Sequence, residues 1–259
     1  MLLAKANQVF RRLKGQSPSA TFSQPTAVPF HALHKSASMF LYKFFDELAA
    51  RSGTRLFSAN NETPDHHDFP SEADTSFFVG PIRSFEVGNF RFPQKTKRIV
   101  QVRDPRDILV SEYFSLGWLH TDQSWTDQAK KRRQKIQTVP IDEYALNQEQ
   151  YNKYSLLERF QPLESLLQDH GTLVVTYECM VTDFDRWLEQ VLEFVFDSPA
   201  LPLKAHFSKR FRDEFVPSQA GGHKRKITPG DHKNQLADET IEQLNEKYSK
   251  VLGRLGYLA

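Results

Sequence analysis

Along this chain, apolar runs of strand length repeatedly give way, across a short loop, to stretches with helical apolar spacing. Thr26–Leu33 is apolar, His34–Ser38 is a polar turn, and Phe40, Leu41, Phe44, Phe45 and Leu48 then recur at helical intervals. The pattern returns at Arg98–Val102, followed by Ile108–Trp118 with Pro105 suited to a first helical turn, and at β-branched Thr172–Tyr177, followed by Thr182–Phe196. Arg55–Ser58 and Ser76–Ile82 supply further strands, and Glu239–Leu255 reads as a closing amphipathic helix. Strands alternating with helices predict an α/β fold: a central parallel sheet flanked by helices on both faces. Glu143–Gln168 carries helical periodicity with a break at Pro162, and Ala59–Asp74 reads as a long irregular loop. Residues 1–25 divide off as a basic amphipathic segment and a Ser/Pro linker, leaving 26–259 as one domain.

Composition narrows the function classes. With 39% apolar and 25% charged residues, the chain can bury a core and is not wholly disordered. Lys+Arg at 34 against Asp+Glu at 32 is too balanced to single out nucleic acid as partner. Cys179 is the single cysteine, which excludes an intramolecular disulfide and a cysteine-based zinc site. No apolar run approaches the ~20 residues of a transmembrane helix, and the N-terminal segment lacks a signal peptide's apolar centre, so the expected location is cytoplasmic.

Three segments carry chemistry. His34-Lys-Ser-Ala-Ser-Met-Phe40 joins a buried strand to a helix. A helix N-terminus presents free N–H groups, small residues admit an anion, and Lys35 adds a charge, the physics of a phosphate cradle. It is not a Walker A loop, which argues against a P-loop nucleotide kinase. Arg103-Asp-Pro-Arg-Asp-Ile-Leu-Val-Ser111 ends a strand and opens a helix on the same sheet edge, so Arg103 and Ser111 are placed to hold one phosphate. Gly221-Gly-His-Lys-Arg-Lys226-Ile-Thr-Pro-Gly230-Asp-His-Lys233 has the composition of an anion-clamping loop. Taken singly, each also fits a simpler reading: a helix cap, a salt-bridged cap and a solvated basic loop.

Together they resemble the PAPS-dependent sulfotransferases (PAPS is 3′-phosphoadenosine 5′-phosphosulfate). Lys35–Phe40 is similar to that family's K-S-G-T-T-W loop, and Arg103–Ser111 to R-[ND]-P-[RK]-D-x-x-x-S with its spacing kept. Tyr177-Glu-Cys-Met180 resembles Y-E-D-[LM], and Arg225–Lys233 resembles R-K-G-x-x-G-D-W-K, all in family order. The resemblance implies the P-loop-like sulfotransferase fold and a PAPS site. In that site Lys35, Ser36, Ala37, Ser38, Met39 and Phe40 surround the 5′-phosphosulfate and adenine. Arg103 and Ser111 hold the 3′-phosphate, Tyr177 contacts adenine, and Arg225 and Lys226 close over the 3′-phosphate. No metal ligand set is visible. The chain departs at Ala37, Met39, Phe40, Cys179, Ile227 and His232, where the family has Gly, a hydroxyl residue, Trp, Asp, Gly and Trp. The family's dimer pattern is half kept, as Lys233 and Glu242, so the oligomeric state stays open.

The base is the main departure. Cytosolic relatives carry K-[TS]-H-x-P where this chain has Val79-Gly-Pro-Ile-Arg83. Ala59-Asn-Asn-Glu62-Thr resembles the loop that supplies a Glu in carbohydrate sulfotransferases, so Glu62 is the first candidate, followed by His66, His67 and Asp68. The expected activity is sulfuryl transfer from PAPS to a hydroxyl or amine of a small-molecule or saccharide acceptor. The alternatives are a non-catalytic PAPS- or nucleotide-binding protein, and a polyanion-binding protein acting through Lys130–Lys135 and His223–Lys226.

Overall fold

The computed structural model describes residues 27–58, 77–83, 92, 96–119, 126–211 and 228–258. Strands β1 (Ala27–Ala32), β2 (Arg55–Phe57), β3 (Phe77–Ile82), β4 (Arg98–Val102) and β5 (Thr172–Thr176) form one sheet in the order β2-β3-β1-β4-β5. Every pairing is parallel. The order reverses beside β1, so the crevice of this sheet opens at the C-terminal ends of β1 and β4.

Apolar alternation assigns the two faces. On one, Val28, Phe30, Ala32, Phe78 and Ile99 pack against α1 (Ser38–Ser52), α7 (Phe184–Phe196) and α8 (Leu201–Phe211). In α1 the buried residues Leu41, Phe44, Phe45 and Leu48 form one stripe, as the spacing requires. Phe45 stacks on Phe30 of β1 at 4.1 Å, and Phe44 meets Trp187 of α7 at 5.1 Å between ring centroids. Truncating a ring so enclosed costs about 3–5 kcal/mol. Helix α1 stops at Gly53, whose φ of 71° lets its amide return to the Ala49 carbonyl.

On the other face, Val100 and Val102 pack with α2 (Pro105–Phe114), α4 (Ile141–Leu146), α5 (Leu156–Phe160), α10 (Asp238–Lys247) and α11 (Ser249–Leu255). Around them run α3 (Asp127–Gln137) and α9 (His232–Gln235), while α6 (Tyr177–Thr182) sends Tyr177 and Met180 into the core of the first face.

Several boundaries differ from the sequence reading. Helix α2 begins at Pro105, because Asp104 caps it by accepting from the Arg106 amide at 2.9 Å, and it passes into a π-helical turn at Ser115–Leu119. Tyr177 opens α6 instead of closing β5, since the Thr176 hydroxyl caps the Cys179 amide. The Glu143–Gln168 stretch is α4 and α5 with 3₁₀ turns between and after them, and Pro162 sits in one such turn. The closing helix divides at Tyr248, whose buried ring turns into the core. The polar stretch before Pro140 contains α3, capped by Thr126. Segment 1–25 and the loop Ala59–Asp74 lie outside the described residues. No helix among the described residues is long and apolar enough to cross a membrane.

Candidate active site

The loop leaving β1 is tightly drawn. The Ser36 amide and hydroxyl both donate to the Leu33 carbonyl, at 3.1 and 2.6 Å. Lys35 and Ala37 take left-handed backbone conformations, with φ of 72° and 66°. These turn the chain into α1, which starts with no side-chain cap. The loop is fixed from beneath by Gln101, whose Nε2 donates to the Ser36 carbonyl at 2.7 Å and whose Oε1 accepts from Trp187 Nε1 at 3.1 Å.

Arg103, just past β4, joins this loop to its neighbour. Its Nη1 donates to the Lys35 carbonyl at 2.9 Å, and its guanidinium lies 4.1 Å from the Tyr177 ring centroid. Its Nε is buried with no hydrogen-bond partner among the described residues. A buried guanidinium with an unspent donor suits an anion. The turn behind it is braced. The Asp104 amide donates to Glu178 Oε1 at 3.0 Å, and Tyr257 Oη donates to Glu178 Oε2 at 2.6 Å. Burial raises the Glu178 pKa despite these bonds. Arg106 forks onto Asp104 and reaches the Tyr257 carbonyl, tying the turn to the C-terminal end of the described chain.

Asp107 holds a third segment. It accepts from the Gly230 amide at 2.7 Å, the His232 amide at 2.9 Å and His232 Nδ1 at 2.7 Å, while Arg103 Nη2 stands 3.9 Å away. Burial pushes its pKa up, but the His232 hydrogen bond, the Arg103 charge and the two amides outweigh it, and the carboxyl stays below its usual range.

A second polar cluster lies one turn along α2. Lys35 Nζ donates to Ser115 Oγ at 2.8 Å. Burial lowers the Lys35 pKa, Glu112 opposes the fall and Arg103 adds to it. Glu112 is itself buried, and Arg159 of α5 grips both its oxygens. His34 Nδ1 lies 3.2 Å from Glu112 Oε1. Burial raises the Glu112 pKa, yet Arg159 and His34 more than reverse this and bring it to about 2.

A cradle of helix amides with Lys35, a buried guanidinium beside it and a clamped loop behind can together receive an anionic group. The sulfotransferase domain model matches residues 89–256, more than half of the 259-residue chain. The chain belongs to the sulfotransferase family. It is therefore a sulfotransferase, an enzyme of sulfuryl transfer from PAPS. Among solved structures it is similar to mouse sulfotransferase SULT7A1 complexed with PAP, at 15% identity, 89% of this chain and 86% of that one, with a TM-score of 0.57. It also aligns with retinol dehydratase in complex with retinol and PAP, at 13% identity, 88% and 82% coverage and a TM-score of 0.47. No curated protein matches.

The matched region of this sulfotransferase begins after the Lys35 loop, so that loop is placed by the sheet: it and Arg103 leave adjacent parallel strands and touch. Of the residues expected at the nucleotide, Lys35, Arg103 and Tyr177 come together. Ser36 is fully buried and its hydroxyl turns inward, so it shapes the loop. Ala37 and Ser38 form the helix start, Met39 is 61% exposed, and Ser111 is half-buried on α2. The Phe40 ring reaches the aromatic cluster, 5.3 Å from Phe211 and 6.1 Å from Trp187. Glu62, His66, His67, Asp68, Arg225 and Lys226 lie outside the described residues. Val79–Ile82 is buried strand, so the segment in place of K-[TS]-H-x-P is sheet core. Sequence reasoning missed Gln101, Asp107 and Glu112. Their signal was a polar side chain interrupting an apolar strand or helix face.

Proposed function

We propose that this sulfotransferase moves the sulfuryl group of PAPS onto a hydroxyl or amine of a small-molecule or saccharide acceptor, in a cytoplasmic setting. The single observation that carries the reading is Arg103 Nη1 bonded to the Lys35 carbonyl at 2.9 Å, which ties the two anion-binding loops into one site. The residues present fit the donor nucleotide, since Arg103 Nε is a buried donor with no partner among the described residues.

PAPS supplies an activated sulfuryl group on a phosphate leaving group. Arg103, with Ser111 on the next helix, would hold the 3′-phosphate, and Tyr177, beneath the guanidinium, would border the adenine. The α1 amides headed by Ala37, Ser38 and Met39 would receive the 5′ end, with Phe40 bordering the base. Lys35 would neutralise charge on the departing oxygen. Arg225 and Lys226 are proposed to close on the 3′-phosphate from the segment that Asp107 anchors at Gly230. On the acceptor side, Trp118 is 40% exposed just beyond Ser115 and lies 4.7 Å from Tyr113 between centroids. Such a shelf suits a ring, phenolic or sugar.

The test is transfer of labelled sulfate from PAPS across phenols, amines, saccharides and lipids, paired with thermal shifts. The product nucleotide bearing 3′- and 5′-phosphates should stabilise by about 2.7 kcal/mol at 100 times Kd, and AMP by far less. Equal shifts would remove the 3′-phosphate roles of Arg103 and Ser111. Stabilisation without transfer to any acceptor would favour a nucleotide-binding protein.

A further inference from the structure

The polar cluster on α2 holds an arrangement that the nucleotide site does not use. His34 directly precedes Lys35, and its side chain is 40% exposed, while its Glu112 partner is 1% exposed. Glu112 lies on α2 one helical turn before Ser115, which receives the Lys35 ammonium. His34, Lys35 and this face of α2 therefore form one wall at the C-terminal ends of β1 and β4.

The tautomer follows from the partner. Glu112 is ionised at neutral pH and can only accept, so His34 Nδ1 must carry the proton it shares at 3.2 Å. That leaves the Nε2 lone pair of neutral imidazole as the ring's basic site, on a side chain that is 40% exposed. Arg159 fixes both Glu112 oxygens, so the carboxylate cannot swing away. A base oriented by a third, immobile group is the logic of nucleophile activation in many transferases and hydrolases.

We infer that His34, oriented by Glu112, is the general base that takes the proton from the acceptor in this sulfotransferase. This rests on the reading above that Lys35 marks the reacting end of the nucleotide. The step balances. The acceptor oxygen forms the new O–S bond as the bond between sulfur and the 5′-phosphate oxygen breaks. The acceptor proton passes to His34 Nε2, and the electron pair leaves on the phosphate beside Lys35. Glu112 is a positioning residue: it touches neither reactant, and its charge steadies the imidazolium. The charged and titratable groups around the dyad are Lys35 on the same loop, Glu112 on α2, Arg159 on α5, and Tyr144 on α4, which borders Glu112.

The experiment compares wild type, His34→Ala and Glu62→Gln with labelled PAPS and two probes: 4-nitrophenol, whose hydroxyl is acidic, and benzyl alcohol, whose hydroxyl is not. Product-nucleotide affinity is measured alongside. His34→Ala should lose at least about 10²-fold in kcat toward benzyl alcohol and far less toward 4-nitrophenol. Its nucleotide affinity should stay unchanged, and added imidazole should restore part of the alcohol activity. Equal loss on both probes, or a full loss in Glu62→Gln with His34→Ala active, overturns the assignment. Independently of any acceptor, the ring nitrogen shifts of neutral His34 in NMR should report the Nδ1–H tautomer that the Glu112 contact requires, and an Nε2–H tautomer also overturns it. Failure of wild type to transfer to any acceptor would strike the transferase reading, while the NMR result still judges the dyad.

Discussion

Asp107 and His232, separated by 125 positions in the chain, meet through a 2.7 Å contact between Oδ1 and Nδ1, with both side chains almost wholly buried. The same carboxylate also takes the Gly230 and His232 amides, so it fixes the end of the basic loop against the helix that follows Arg103. Asp107→Asn keeps the shape and removes the charge. Breaking a buried, hydrogen-bonded pair of this kind costs about 3–5 kcal/mol. Urea denaturation should show a loss near the lower end of that range, because the amide oxygen still accepts from a backbone N–H. Coupling above about 0.5 kcal/mol in a cycle with His232→Asn is expected, and simple additivity would deny the contact.

Acid should destabilise the protein in two overlapping steps. Burial, aided by the Arg98 charge, depresses the His31 pKa from 6.5 to about 3. Glu112 falls from 4.5 to about 2 as described above. Both folded values lie below the unfolded ones, so both contributions are complete above the unfolded pKa and are lost as pH falls through the folded one. His31 acts from about pH 6.5 downward and Glu112 from about pH 4.5 downward, each worth a few kcal/mol over its window. Chemical denaturation between pH 7 and 3 checks this: His31→Val should flatten the upper part of the curve and leave the lower part.

Ala37 sits at φ 66°, where an L side chain meets backbone resistance. Ala37→Gly removes the Cβ and should stabilise the fold by about 1 kcal/mol, seen as a higher Tm. A lower Tm would show that the Ala37 methyl, packed against the core beneath α1, outweighs the strain.

Gln101 is the one polar residue in the middle of β4, and its amide serves Ser36 and Trp187 at once. Gln101→Leu leaves a carbonyl and an indole N–H unpaired, at about 1–3 kcal/mol each. Stability should fall by that order, and product-nucleotide affinity should fall with it because the Lys35 loop loses its lower support. Unchanged affinity at reduced stability would separate Gln101 from the site.

Much of this was legible because strand–loop–helix units announce themselves locally. The apolar run ending at Leu33, the small residues after Lys35 and the Arg103-Asp-Pro turn each fix a boundary from a few adjacent side chains. What the sequence concealed depends on distant partners. Nothing beside Asp107 along the chain names His232, and nothing beside Glu112 names Arg159, yet these are the partners that bury the two carboxylates. His34 read as part of a polar turn, since nothing in its neighbourhood along the chain names the carboxylate that orients it. The helix divisions at Ser115 and Tyr248 were hidden for the same reason: each residue's burial is decided by other elements.

Arg103 concentrates three features in one guanidinium: a donor to the Lys35 carbonyl, a cation over Tyr177, and a buried Nε with no hydrogen-bond partner among the described residues. Arg103→Ala should therefore weaken the nucleotide bearing a 3′-phosphate by about 1.5–3 kcal/mol, with little change for AMP. Arg103→Lys separates charge from shape. A lysine keeps the positive charge but has neither the planar fork nor the face that stacks on Tyr177. It should recover only part of the lost affinity and leave the Lys35 loop less ordered, so kcat should remain depressed at saturating nucleotide. Isothermal titration with both nucleotides, beside kcat at saturation, distinguishes the outcomes. Full recovery of affinity and kcat by lysine would mean that charge alone is required, and the bond to the Lys35 carbonyl would then have no part in holding the site.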